Sequence, residues 1–142
     1  MRTVERIIRP LALSFAILCA AVPVRAACLG GHPSVDDEYQ QSNLVIVGRV
    51  IKAIKVPESD GLLEGTVYTI RIDKTYHGRK RETIKVFSEN SSGRFPMNIG
   101  DDYVLFLSLP SAGRTMVDAC GNSGLVRKST SLIESVEKLS RR

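Results

Sequence analysis

The sequence predicts a small, mainly β domain in which five short strands roll into a partly closed antiparallel barrel and one short helix ends the chain. Three observations predict it. The chain has 142 residues, 43% hydrophobic and 25% charged, the make-up of one ordinary globular domain. From Leu44 to Ala119 the apolar residues alternate, or run in short blocks, with the period of strands. Clusters of Gly, Pro, Asn and Asp separate these blocks at short intervals.

Leu44-Val45-Ile46-Val47 is a continuous apolar run, followed by Gly48 and then Val50-Ile51. That pattern suits a first strand buried on both faces and bent at the glycine. Pro57 to Gly61 forms a turn, and Thr66 to Asp73 alternates, with Tyr68, Ile70 and Ile72 on one face and Val67, Thr69, Arg71 and Asp73 on the other. The two strands make a hairpin. His77 to Arg81 turns the chain again, and Thr83 to Ser88 supplies a third strand through Ile84, Val86 and Phe87. Asn90 to Gly93 is a polar loop and Ile99 to Asp102 a turn. Tyr103 to Leu109 is a strong fourth strand, stopped by Pro110, and Thr115 to Ala119 a short fifth. Ser131-Leu132-Ile133-Glu134 reads as a capping box opening a helix whose Leu132, Ile133, Val136 and Leu139 share one face. The set fits a five-stranded OB-like antiparallel barrel with a short C-terminal helix; a β-sandwich is the rival arrangement.

The amino terminus reads differently. Arg2, Arg6 and Arg9 precede an apolar run from Leu11 to Val22, and Val24-Arg25-Ala26 supplies a small-residue cleavage pattern, so residues 1–26 form a secretory signal peptide and 27–142 the mature domain. The run is too short to span a bilayer comfortably. A lipid anchor on Cys28 is the lesser alternative, because Arg25 stands where an aliphatic residue belongs. Removing the signal leaves 16 Lys+Arg and 14 Asp+Glu, too mild a balance for a nucleic-acid partner. The expected location is secreted or periplasmic. In that oxidising compartment the two cysteines of the mature chain, Cys28 and Cys120, are expected to form one disulfide rather than remain as thiols. The chain-entropy argument assigns such a bridge about 4–5 kcal/mol.

Cys28-Leu29-Gly30-Gly31-His32-Pro33, Ser42-Asn43-Leu44-Val45-Ile46, Gly48-Arg49-Val50, Tyr68-Thr69-Ile70-Arg71-Ile72, Lys74-Thr75-Tyr76-His77-Gly78, Tyr103-Val104-Leu105-Phe106 and Cys120 occur in an order and approximate spacing that resemble the amino-terminal netrin-like domain of the tissue inhibitors of metalloproteinases. The resemblance covers Cys28 to Cys120, and Glu89 to Asn98 has no clear counterpart in it. It implies an OB-fold and an inhibitor whose first residue, a cysteine freed by signal cleavage, chelates the protease zinc through its α-amine and carbonyl oxygen. An α-amine with a pKa near 7.7–8.0 is substantially neutral at about pH 7.5 and can donate its lone pair to zinc. Alignment through His32-Pro33 makes Cys28 the counterpart of the family's second cysteine and Cys120 its partner, and puts Ala26 where the chelating cysteine stands. The sequence therefore lacks that cysteine. Cleavage after Ala26 starts the chain at Ala27; cleavage after Arg25 or Ala27 would instead expose Ala26 or Cys28.

The resemblance implies a contact surface at Ala27, Cys28, Leu29, Gly30, His32 and Pro33, and a zinc metalloprotease or another extracytoplasmic protein as partner. The other reading is an exported OB-like module that binds an envelope or surface component without inhibiting anything, with Arg79, Lys80 and Arg81 as a polyanion contact. Catalysis is not expected. Gly121-Asn122-Ser123-Gly124 lacks the spacing of a nucleophile elbow and reads as a turn. Cys28, His32, His77 and Cys120 supply the ligand count for zinc, but His32 lies in a Gly/Pro-rich loop and His77 in a hairpin, where histidine is commonly solvated. No resident metal or cofactor is expected. Asp36-Asp37 and Asp101-Asp102 read as solvated turn carboxylates. Asn90-Ser91-Ser92 matches a glycosylation acceptor.

Overall fold

A computed structural model describes residue 28 and residues 30–58, 60–110 and 113–142. The signal peptide expected over residues 1–26, and Ala27 and Leu29 of the expected contact surface, lie outside the described residues.

The first element is a helix, α1 (Val35–Gln41), where turn residues were expected. Ser34 caps it by accepting the Asp37 backbone N–H at 3.1 Å, and Asp36, Asp37 and Glu38 fill its first turn, where the helix dipole favours negative charge. The Asp36-Asp37 pair is thus helix-capping chemistry rather than a turn. Six strands follow: β1 (Leu44–Pro57), β2 (Leu63–His77), β3 (Thr83–Glu89), β4 (Asp102–Ser108), β5 (Met116–Val117) and β6 (Gly124–Leu125). A single 3-10 turn leads into α2 (Thr130–Leu139). α2 starts at Thr130 after Ser129, with no side-chain cap, so the expected capping box at Ser131 does not form.

The sheet runs β1-β2-β3-β5-β4, and β4 pairs back onto β1, which makes a ring of five strands; β6 pairs with Tyr103 and Val104 of β4, on the edge that β5 also uses. The fold is mainly β, and its ring is not a clean barrel. β3 meets β5 in parallel through the single pair Phe87 and Met116, whereas the other joints are antiparallel. The fifth strand is shorter than the expected Thr115–Ala119 because the chain turns at residues 119 and 120. β1 and β2 are longer than their apolar runs suggested, since backbone pairing carries their hairpin out to Pro57 and Leu63 beyond the core.

Alternation along the strands sorts side chains to two cores. Inside the ring, Leu44, Ile46, Val50, Tyr68, Ile70, Ile84, Val86, Tyr103, Leu105 and Leu107 pack together. On the outside, Val45, Val104 and Phe106 pack under Tyr39 of α1 and Val136 and Leu139 of α2. The first half of β1 and nearly all of β4 are therefore buried on both faces, as a continuous apolar run requires. The register shifts between Val47 and Gly48, where the sequence suggested a bend.

Candidate functional site

The predicted contact residues that are described sit where the chain start meets the loop after β5. Cys28 and Cys120 form a disulfide with a Cα–Cα distance of 5.7 Å, tying positions 92 residues apart. Gly31 donates its backbone N–H to the Cys28 carbonyl at 2.9 Å. His32 Nδ1 lies 2.7 Å from the Cys120 carbonyl oxygen; a carbonyl only accepts, so the ring carries its proton on Nδ1. Asn122 Nδ2 donates to the Pro33 carbonyl at 3.0 Å. Disulfide and hydrogen bonds together hold the first described residues against residues 118–122.

Glu38 is the hinge pin of this corner, although its sequence position gave no sign of it. The side chain projects from α1 and is buried, and one carboxylate oxygen accepts both the Asn122 backbone N–H at 2.6 Å and its Nδ2 at 2.7 Å. Gly121 lies directly against the carboxylate, where any Cβ would collide with it. Burial pushes the Glu38 carboxyl above its usual range, the Asn122 hydrogen bonds pull it down, and the nearby Asp118 charge adds to the rise. Asp118 in turn accepts the Cys120 N–H at 2.8 Å. Gly30, Gly31, Pro33, Glu38, Phe106 and Asp118 contribute to the walls of a cleft of about 400 Å³ beside the disulfide.

Tyr39, next along α1, anchors the helix from the other side. Its hydroxyl donates to the Tyr76 carbonyl at 2.8 Å, and its ring lies 5.0 Å from that of His77. Burial raises the phenol pKa. His77 is thus half-buried against Tyr39, not a solvated hairpin residue. Both cysteines of the four-residue zinc set are consumed in the disulfide. Among the described residues, no three His, Cys, Asp or Glu side chains are grouped to hold a metal ion.

The remaining candidates fall elsewhere. Arg79, Lys80 and Arg81 are exposed between β2 and β3, and among the described residues none is in an ion pair. Asp101 and Asp102 are not simply solvated. Asp102 takes a bidentate contact from Arg49, at 2.8 and 2.7 Å, and Asp101 pairs with Arg127 at 2.8 Å; these guanidinium hydrogen bonds hold both carboxyls below the usual range. Ser123, the serine between glycines, accepts the Phe106 backbone N–H at 2.9 Å and so braces β4.

The sequence could have pointed to Glu38 and Asn122 only through the Ser34-x-x-Asp37 cap, which marks a helix start and places Glu38 and Tyr39 within it. The disulfide is compatible with a location outside the cytoplasm. Among the described residues, no helix is long and apolar enough to cross a membrane. No protein-family model matches the chain, and no curated protein matches its sequence.

Proposed function

We propose that the protein is an exported, non-enzymatic binding module that resembles the tissue inhibitors of metalloproteinases, built on an OB-like ring, and that it offers Ala27–Pro33 to a zinc metalloprotease or another extracytoplasmic protein. The observation that carries this reading is the fixed corner: the Cys28–Cys120 bridge, the His32 contact to Cys120 and the Asn122 contact to Pro33. A terminus immobilised before binding loses little conformational entropy on association, which is the physical requirement of an inhibitor that docks by its first residues. The strand order β1-β2-β3-β5-β4, closing onto β1, supports the OB-like reading.

The chelating route depends on where the signal is cut. A start at Ala26 would put an α-amine at the position of the family's zinc ligand, while a start at Ala27 leaves surface contacts alone. The test is amino-terminal sequencing of the exported protein, followed by titration against a panel of zinc metalloproteases. The expected result is stoichiometric loss of one protease's activity that disappears when Cys28 and Cys120 are both replaced by serine. Absence of both inhibition and binding across the panel would sink the reading. The exposed Arg79, Lys80 and Arg81, in no ion pair among the described residues, favour the second reading, a surface-component binder without inhibitory activity. Salt-sensitive retention on heparin that is lost when all three are neutralised would establish it in place of the first.

A further inference from the structure

The outer face of the ring is covered in one part and bare in another. α1 and α2 cover the start of β1 and most of β4, but among the described residues their apolar cluster includes none from the end of β1, the start of β2 or β3. In that bare stretch the register aligns Ile54, Val67, Phe87 and Met116 in one row across four strands. Two positions along each strand, on the same face, lies a row of Lys52, Thr69 and Lys85.

Ile54 is 48% exposed, yet Phe87 in the same row is 8% exposed. The difference is local. The Arg114 guanidinium lies 4.3 Å from the centroid of the Phe87 ring, and Glu64 holds that guanidinium by two hydrogen bonds of 2.8 and 3.3 Å. On the sheet side the ring rests on Gly65, where a Cβ would come within 2.6 Å of it. Val67, Lys85, Phe87, Arg114 and Thr115 line a groove of about 290 Å³. Lys52 and Lys85 are exposed and, among the described residues, in no ion pair, while Glu89 stands on the opposite side of the apolar row.

We propose that this bare stretch is a docking surface for an acidic, amphipathic segment of a partner protein, with one apolar side chain seated in the groove lined by Val67 and Phe87 and a neighbouring carboxylate on Lys85 or Lys52. Charge complementarity selects the occupant. The two rows are about 7 Å apart, two residues along a strand, so a ligand must carry anionic and apolar groups within a residue or two of each other. Peptides with Asp or Glu beside Leu, Met or Phe do so. A polyanionic glycan has nothing apolar to lay on the floor, and a bilayer surface does not fit a groove whose aromatic ring is recessed beneath Arg114. Glu89 sets the orientation by repelling carboxylates from the far side. The surface is separate from the disulfide corner, and the proposal does not depend on the reading of that corner.

The test is selection of random nonapeptides displayed on phage against the purified mature protein, with the enriched peptides synthesised and titrated by NMR. Enriched sequences are expected to place an acidic residue beside a large apolar one, and to shift the amide signals of Val67, Lys85 and Thr115. Lys52→Glu combined with Lys85→Glu should weaken binding about tenfold or more, and more salt should weaken it in the unaltered protein. Both lysines are exposed, so these variants leave the core intact; Ile54→Ser gives a second variant that probes the apolar row alone. The proposal is overturned by failure to enrich any sequence, by enriched peptides without acidic residues, by peptide binding indifferent to the lysine changes, or by lysine-dependent binding of phosphatidylglycerol vesicles or heparin in place of peptides.

Discussion

The helix-covered and bare parts of the outer face share strand β1, yet they hold its side chains in opposite ways. Within β1, Val45 is fully buried beneath the helices, whereas Ile54, nine positions on, is half exposed. The change comes just after Arg49, the last β1 residue paired with β4, and at the register shift between Val50 and Lys52. Beyond it, among the described residues, β1 has one strand neighbour and no helix packed on it. Burial of an apolar strand residue is thus decided by what lies over it, not by its own hydropathy. The covered part carries stability, through apolar area and through the disulfide that ties the chain start to Cys120. The bare part leaves Ile54 half exposed and buries Phe87 only beneath the Arg114 guanidinium.

The sharpest way to break this comparison is to cut the covalent tie. Replacing Cys28 and Cys120 together by serine should lower unfolding stability by about 4–5 kcal/mol, because the bridge closes a loop of 92 residues in the unfolded chain. Urea unfolding measures the loss. Amide spectra taken well below the midpoint should show the change confined to Gly31, His32 and residues 118–123, with Lys85 and Phe87 unmoved. Equal disturbance at both places would mean that the two parts are one cooperative unit.

Much of this architecture was legible in the sequence, for reasons that particular residues make clear. Alternation in Tyr103 to Ser108 and Tyr68 to Ile72 separates the two faces, because a strand allows only two sides, and the structure puts Tyr68, Ile70, Tyr103, Leu105 and Leu107 on the inner one. Phe87 belongs to the third strand as expected, on the face opposite Ile84 and Val86, where the Arg114 guanidinium meets it. Its burial depends on an arginine 27 positions away and on Gly65, and no local period encodes either. α1 was missed because its seven residues offer too short a window for a helical period, although Ser34 and Asp37 supply the cap. Of the contact surface, the pairing of Cys28 with Cys120 was foreseeable from the cysteine count. Glu38 was not, since its role needs Asn122, 84 positions away, brought to it by the fold.

Glu38 allows the corner to be probed without breaking it. Its carboxyl is raised by burial, so the folded state takes up a proton at a pH where the unfolded chain, near 4.5, is still ionised. Stability contributed at this residue therefore rises as pH falls through the folded value, and levels off below the unfolded one. Asp101, Asp102 and Glu137 act in the opposite sense: hydrogen bonds from Arg127, Arg49 and Lys74 lower their carboxyls, and what they contribute is lost as pH falls through their folded values. Glu38→Gln separates the two trends. A neutral amide still offers Asn122 an oxygen acceptor and removes the cost of burying charge, so the variant should be more stable than the parent at pH 7. The advantage should shrink toward pH 4 in thermal unfolding. A variant less stable than the parent at pH 7 would mean that the ionised carboxylate, through its bonds to Asn122, stabilises the corner by more than its burial costs.

The smallest effect belongs to the bare part, and its smallness is the informative result. Ile54→Ser removes a large apolar side chain from a strand, a change that in the helix-covered cluster would open a cavity and cost about 2–4 kcal/mol. Ile54 is 48% exposed and, among the described residues, has no helix over it and faces Val67 across the hairpin, so the expected loss is about 0.5 kcal/mol or less. Urea midpoints at unchanged slope would measure it. A loss approaching that of a core site would show that Ile54 is covered in solution, by the hairpin folding back or by a second copy of the chain. An unchanged midpoint leaves an isoleucine held on the surface at no benefit to the fold, between Lys52 and the Phe87 groove, where its apolar area is available to a partner.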